Sequence, residues 1–146
     1  MTQLCEVVAG WRRQGETVVF VNGCFDVLHT GHICLLEQAR QAARRLIVAV
    51  NSDEYCRRAK GALRPIQSAE VRQRVVAGVS GADVVLTWAE PTPEHLLKLI
   101  RPDVYVIGSD YRSRTLPGAE WCGRIEFVER LAGFSTTATV KRLQVG

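Results

Sequence analysis

Five short runs rich in β-branched residues, separated by longer stretches of helical periodicity, constrain this chain more than any other feature. Thr17-Val18-Val19-Phe20-Val21 and Leu46-Ile47-Val48-Ala49-Val50 are apolar almost throughout. Unbroken apolar runs of that length suit strands buried on both faces. Asp83–Thr87, Val104–Ile107 and Ile125–Val128 continue the series. Between them, Gly31–Arg45 carries Ile33, Leu36, Ala39 and Ala43 at helical spacing. Ser68–Ser80 opens on a capping serine and sets Val71, Val75, Val76 and Val79 along one face, read as its core face. Thr92–Ile100 reads as a short helix with Thr92 at the cap and Pro93 at its first position. Residues 2–13 and Ser135–Leu143 read as leading and closing helices. Strand and helix in alternation, with no long linker, require a parallel sheet covered on both sides. The expected fold is α/β: a Rossmann-like doubly wound sheet of about five parallel strands with helices on both faces, in a single domain spanning 1–146.

Composition narrows the class. At 146 residues the chain is one domain in size, and 47% hydrophobic with 23% charged residues is a globular balance, which excludes disorder of the whole. No apolar run approaches the ~20 residues that span a bilayer, and Met1–Glu6 shows no secretory pattern, so a cytoplasmic location without membrane contact is expected. The net charge of +4 suits anionic small ligands better than a nucleic acid, whose binders concentrate charge more heavily. Its densest part is Arg57, Arg58, Lys60 and Arg64, read as a basic loop. The five cysteines, Cys5, Cys24, Cys34, Cys56 and Cys122, form no C-x-x-C pair, and free thiols are expected.

In doubly wound sheets ligands bind beyond the carboxyl ends of the strands. After the first strand comes Asn22-Gly23-Cys24-Phe25-Asp26-Val27-Leu28-His29-Thr30-Gly31-His32. Gly23 lets a ligand approach the backbone, and His29 and His32 fall on one side of the first helical turn. A helix N-terminus supplies free N–H groups and a partial positive charge, a combination that suits a polyphosphate. Zinc is a poorer fit, because no further ligand stands at workable spacing.

Gly23–His32 resembles the G-x-F-D-x-x-H-x-G-H signature of the cytidylyltransferase-like nucleotidyltransferases, matching every fixed position. Two more blocks agree with that family. Arg130-Leu131-Ala132-Gly133-Phe134-Ser135-Thr136-Thr137 resembles R-x-x-G-x-S-T-T, and Gly108-Ser109-Asp110-Tyr111 resembles G-x-D-[WY]. Within the family, Asn51-Ser52-Asp53, Lys60-Gly61, Arg64-Pro65, Glu70 and Arg72 look most like the adenylyltransferase domain of ADP-heptose synthases. Arg130 is closer to the cytidylyltransferase version, which keeps glycerol-3-phosphate cytidylyl transfer as an alternative, with a non-catalytic nucleotide-binding module as a further one. An RNA-charging enzyme would need more chain and a K-M-S-K-S-like loop, and coenzyme adenylyl transfer lacks the K-G-x-x-R-P stretch.

The resemblance implies transfer of a nucleotidyl group, most simply AMP from ATP, to a sugar 1-phosphate such as D-glycero-D-manno-heptose 1-phosphate. It implies catalytic roles for His29, His32 and Lys60. Nucleotide contacts would come from Asn22, Gly23, Cys24, Phe25, Gly31, Gly108, Asp110, Tyr111, Arg130, Ser135, Thr136 and Thr137. Substrate contacts would come from Asp26, Asn51, Arg64 and Arg72. Mg²⁺ would arrive on the phosphates with no direct side-chain ligand, and the protein would be a homodimer. The sugar kinase often fused to this domain in the heptose branch would then belong to a separate protein.

Overall fold

In the computed structural model, which describes residues 1–145, the strands are β1 (Val18–Gly23), β2 (Arg45–Asn51), β3 (Val84–Trp88), β4 (Val104–Gly108) and β5 (Arg124–Val128). The helices are α1 (Thr2–Arg13), α2 (Thr30–Ala42), α3 (Asp53–Lys60), α4 (Ala69–Ser80), α5 (Glu94–Ile100) and α6 (Thr136–Gln144). Single 3₁₀ turns lie at Ser109–Tyr111 and Ala119–Trp121. Every strand pairing is parallel, in the order β3-β2-β1-β4-β5. The expected doubly wound sheet is therefore present.

Successive side chains of a strand point to opposite faces, so each apolar run feeds two cores at once. Val18, Phe20, Ile47, Ala49, Tyr105 and Ile107 pack with Leu4 and Val8 of α1 and with Leu96, Leu97 and Ile100 of α5. Val19, Val21, Leu46, Val48, Val50, Val104 and Val106 pack on the other side with Leu36 and Ala39 of α2 and Val76 of α4. Among the described residues no helix is long and apolar enough to cross a membrane.

Four details depart from the sequence reading. The basic run does not lie in a loop: Arg57, Arg58 and Lys60 form the last turn of α3, where cations oppose the negative helix end. Ser52 caps that helix, its hydroxyl accepting from Tyr55 N at 3.2 Å, with Asp53 and Glu54 in the first turn. In α4 the face is rotated from the expected one. Arg72, Val76 and Ser80 point inward, while Val71, Val75 and Val79 are exposed, because the Arg72 guanidinium is needed beneath the strand ends. Helix α5 starts one residue later than expected, with Pro93 as N-cap and no capping side chain, while the Thr92 carbonyl accepts from Trp88 Nε1. Helix α2 stops at Ala42, because Ala43 is already extended and Arg45 opens β2, held by Glu16 and Asp83.

Candidate active site

All five strands run the same way, so their carboxyl ends share one edge. The winding reverses at β1: β2 and β3 lie to one side of it, β4 and β5 to the other. The crevice this leaves between the ends of β1 and β4 holds a cavity of about 560 Å³.

The loop after β1 forms one wall. His29 is the N-cap of α2, and its Nδ1 accepts from Gly31 N at 3.0 Å. His29 N in turn donates to His32 Nδ1 at 3.2 Å. The two rings stack, with centroids 3.9 Å apart. Burial lowers the pKa of both imidazoles, assisted by Arg130 and Lys60 at His29 and by His29 and Lys60 at His32, which is pushed down to about 3. With each Nδ1 accepting a backbone proton, each neutral ring carries its own proton on Nε2. The pair thus supplies two neutral N–H donors beside a helix N-terminus. Gly31 is required there, since a Cβ would stand 2.8 Å from His29 Cε1. Phe25 lies tilted against His32, its ring centroid 5.7 Å away.

Phe25 and Val27 both take positive φ values, +51° and +46°. Such a backbone is unfavourable for a bulky residue and costs of order 1–3 kcal/mol, so surrounding contacts must hold it. Asp26, between them, supplies those contacts. Its carboxylate accepts from Ile66 N at 2.8 Å, Gln67 N at 3.0 Å and Arg64 Nε at 2.9 Å, and its carbonyl accepts from Thr136 Oγ1 at 2.6 Å. Burial pushes the Asp26 pKa up, but the two backbone N–H groups and Arg64 outweigh it and hold the carboxyl below its usual range.

Other strand ends complete the cavity. Asn22 Oδ1 accepts from Tyr105 Oη at 2.7 Å, which fixes the amide at the tip of β1. Asn51, Tyr55 and Lys60 come from β2 and α3. Gly108 ends β4 and Asp110 and Tyr111 follow it, and a Cβ at Gly108 would meet Asp110 Oδ1 at 2.6 Å. Arg130 and the N-terminus of α6 close the far side, with Ser135 Oγ accepting from Ala138 N at 3.0 Å as N-cap. Thr136 lines the cavity, but its hydroxyl is committed to the Asp26 carbonyl, while Thr137 lies on the same turn.

Three residues expected as substrate contacts do not line the cavity. Asp26 is occupied as described. Arg64 is buried against it, with Nη2 left unpartnered. Arg72 is fully buried: Nη1 donates to the carbonyls of Cys24 at 2.5 Å and Asn51 at 2.8 Å, Nε to Gln67 O at 2.9 Å, and Nη2 to Asp53 Oδ1 at 2.6 Å. Their polar groups are taken up by protein, so they brace the wall from behind. Conversely, Tyr55 and Arg114 line the cavity without having been expected there. Arg114 lies over the Tyr111 ring, 4.9 Å from its centroid. The capping serine and first-turn acids of α3 would have marked the helix bearing Tyr55, whereas nothing in Ser113-Arg114-Thr115 marks Arg114. The carboxylates of the lining are Asp110 and Glu129, and among the described residues no group of three or more metal-ligating side chains converges.

Comparison with known proteins agrees with this architecture. The Cytidylyltransferase-like family model matches residues 20–140. The bifunctional protein HldE of Acidiphilium cryptum is 48% identical over 143 residues, 95% of this chain and 29% of that protein. Those of Koribacter versatilis and Pseudomonas paraeruginosa are 46% and 44% identical, over 97% and 99% of this chain and 30% and 31% of theirs. The chain thus spans about three tenths of the curated relatives it matches. Among solved structures, a lipopolysaccharide core biosynthesis protein from Thermoplasma volcanium superposes with a TM-score of 0.64 at 21% identity, covering 83% of this chain and all of the other. Pantothenate synthetase from Thermus thermophilus superposes at 0.57 and 17%, covering 92% and 68% of the respective chains, and these two likenesses concern the fold. With a family model covering most of its length and relatives similar over nearly all of it, the chain belongs to the cytidylyltransferase-like family of nucleotidyltransferases.

Proposed function

We propose that this domain transfers AMP from ATP to D-glycero-D-manno-heptose 1-phosphate, giving ADP-heptose and pyrophosphate. The observation that carries the reading is the pair of neutral imidazoles stacked at the N-terminus of α2, facing a cavity that also holds Lys60 and the N-terminus of α6. The heptose assignment is supported by the N-S-D, K-G and R-P stretches and by the identity with bifunctional HldE proteins.

A sugar 1-phosphate is ionised at neutral pH, so its oxygen attacks the α-phosphorus in line without a strong general base. Positioning and charge stabilisation remain as the work of the protein. His29 and His32 donate from Nε2 to the α- and β-phosphoryl oxygens. Being neutral, they stabilise developing charge by hydrogen bonding. Lys60 brings the point charge, and the free N–H groups of α6 with the Ser135 hydroxyl receive the terminal phosphate. Mg²⁺ arriving on the substrate phosphates would neutralise part of their charge, and Asp110 and Glu129 are the carboxylates of the lining beside it. The soluble substrates fit a cytoplasmic location.

The exposed stripe Val71, Val75 and Val79 on α4 suits a second copy of this chain, and a homodimer through α4 is part of the proposal. Light scattering on wild type and on Val75→Lys tests it, and a monomeric wild type would reject it. The reaction is tested by pyrophosphate release with each of the four nucleoside triphosphates against heptose 1-phosphates and glycerol 3-phosphate. ATP with the heptose 1-phosphate is the expected pair. Activity confined to CTP with glycerol 3-phosphate would refute the assignment.

A further inference from the structure

The cavity extends beyond the groups that the proposed mechanism uses. On the α2 side of the sheet its wall includes His29, His32 and Phe25, and Phe25 packs in the core beneath α2. The start of α6 stands there too, since a Cβ on Gly31 would lie 3.8 Å from Phe134 Cβ. The cavity then crosses the strand ends to the α5 side. There Tyr105, Ile107, Tyr111 and Leu116 line it and pack with the core beneath α5. Pro91, Thr92 and Pro93, which lead into α5, border the same side. The triphosphate contacts leave this second lobe unassigned.

One segment gives the lobe its charge. Arg114 N donates to Tyr111 O at 3.0 Å, a bond from the fourth residue of a turn back to its first. The turn brings the Arg114 side chain over the Tyr111 ring, with the guanidinium carbon 4.9 Å from the centroid. A few residues on, Ala119 N donates to Leu116 O at 3.1 Å, and Gly118 is pressed against the first turn of α5, where a Cβ would stand 2.8 Å from Glu94 Cα. The backbone around Arg114 is thus pinned from both sides. Among the described residues no carboxylate pairs with its guanidinium, and Glu129 is already taken by Arg112. A guanidinium lying over a ring keeps the N–H groups of its edge for a ligand. Tyr55 of α3, Thr92 and Thr115 also line the cavity. Burial raises the pKa of Tyr55 and Tyr111, so both phenols keep their protons as neutral donors.

We propose that the lobe on the α5 side is the acceptor subsite, in which Arg114 holds the phosphate of the sugar 1-phosphate and Tyr55, Thr92 and Thr115 receive the hydroxyls of its ring. That the ligand is an acceptor for nucleotidyl transfer rests on the transferase reading; that Arg114 holds a sugar phosphate is open to a binding measurement of its own.

The placement follows from the direction of attack. In an in-line displacement the attacking and leaving oxygens lie on opposite sides of the phosphorus. The β- and γ-phosphates are drawn to the helix starts on the α2 side, so the attacking phosphate enters from the other end of the cavity. Of the three lining cations, Lys60 and Arg130 lower the pKa of His29, whereas Arg114 lies over Tyr111 on the α5 side. A phosphate monoester brought up to a triphosphate meets like charge, and a cation on its own side offsets that repulsion. Arginine suits the position better than lysine. Its planar fork gives two parallel N–H···O bonds, which fix two phosphate oxygens and leave a third turned toward the α-phosphorus. The rings and hydroxyls around it suit a polyhydroxylated ligand, with an apolar face for C–H groups and donors at the edge.

The test uses wild type, Arg114→Ala, Arg114→Lys and Thr115→Phe in two assays. Pyrophosphate release is followed with ATP and D-glycero-D-manno-heptose 1-phosphate varied in turn. Titration calorimetry measures binding of the heptose 1-phosphate to protein saturated with α,β-methylene-ATP, which cannot react. Arg114→Ala should lower kcat/KM for the sugar phosphate, and its affinity, by ~10–100-fold. The KM for ATP should stay the same, as should the melting temperature, because the side chain is exposed. Arg114→Lys keeps the charge without the fork and should recover only part of the loss. Thr115→Phe, which fills the lobe from an exposed position, should weaken the sugar phosphate and not ATP. An equal loss for ATP in Arg114→Ala, or no loss for the sugar phosphate, would overturn the proposal, as would a wild type that binds no heptose 1-phosphate. A wild type that binds it through Arg114 yet releases no pyrophosphate refutes the transferase reading alone.

Discussion

Replacing Asp26 tests whether the signature aspartate works on the substrate or on the protein. The carboxylate is 1% exposed and accepts from two backbone N–H groups and from the Arg64 guanidinium, itself buried. Asp26→Ala orphans all three donors and strands a buried cation whose Nη2 already lacks a partner. Breaking a buried pair from one side costs ~3–5 kcal/mol. At roughly 2–4 °C per kcal/mol for a domain of about 150 residues, the melting temperature should fall by roughly 6–20 °C. Asp26→Asn keeps the shape and one acceptor oxygen and should lose about 2–3 kcal/mol. Both variants release the 61–67 connection that follows Lys60 and relax the strained backbone at Phe25 and Val27, so turnover should drop at least ~10-fold along with stability. The acid side gives a further check. The folded-state pKa of Asp26 lies below the ordinary 3.8, so its contribution is complete above that value and is lost as pH falls through the folded pKa. Asp26→Asn should remove that part of the acid limb. Differential scanning calorimetry and pyrophosphate release on the same preparations decide the matter. Turnover abolished with an unchanged melting temperature would show a substrate contact and refute the bracing role.

Two further outcomes follow from the same geometry. Lys60 is exposed at the end of α3, so Lys60→Ala should move stability by less than ~0.5 kcal/mol while slowing transfer ~10²–10³-fold, a split that calorimetry with steady-state kinetics reads directly. His29 and His32 are held neutral, so their contribution to stability is complete above the ordinary value of 6.5 and is lost progressively as pH falls toward about 3 for His32. Their donor role predicts no loss of kcat/KM as pH rises through 6.5, and a pH–rate profile showing such a loss would mean that an imidazolium is required.

The parts of the molecule legible from sequence are those in which neighbours in the chain are also neighbours in space. The β1 loop and the start of α2 are one continuous segment, so Gly23, His29, Gly31 and His32 read directly as a cavity wall. Helix α3 was less visible because Asp53–Lys60 is almost wholly polar, and apolar spacing has little to report in such a segment. Its evidence was electrostatic: a capping serine, acids in the first turn and bases in the last. The face of α4 misled for the opposite reason. Three valines four residues apart outweigh one arginine in any hydrophobic pattern, yet Arg72 is the residue drawn inside. Its partners, the carbonyls of Cys24, Asn51 and Gln67, come from three separate segments, and only the folded chain brings them together.

That inversion explains how a modest net charge would serve the polyphosphate site we propose. The charged residues near the strand ends form two layers. In the inner one, Asp26 with Arg64 and Arg72 with Asp53 are engaged with protein and fix the loops. In the outer one, Lys60, Arg114 and Arg130 face the cavity against Asp110 and Glu129, and Glu129 is already paired with Arg112. Cationic excess therefore appears where phosphates would lie, although the chain as a whole carries only +4. The bracing layer allows this. An arginine anchored by backbone carbonyls can hold the ends of β1 and β2 together without competing for the ligand, and the residues left over for binding are those whose charge the fold does not consume.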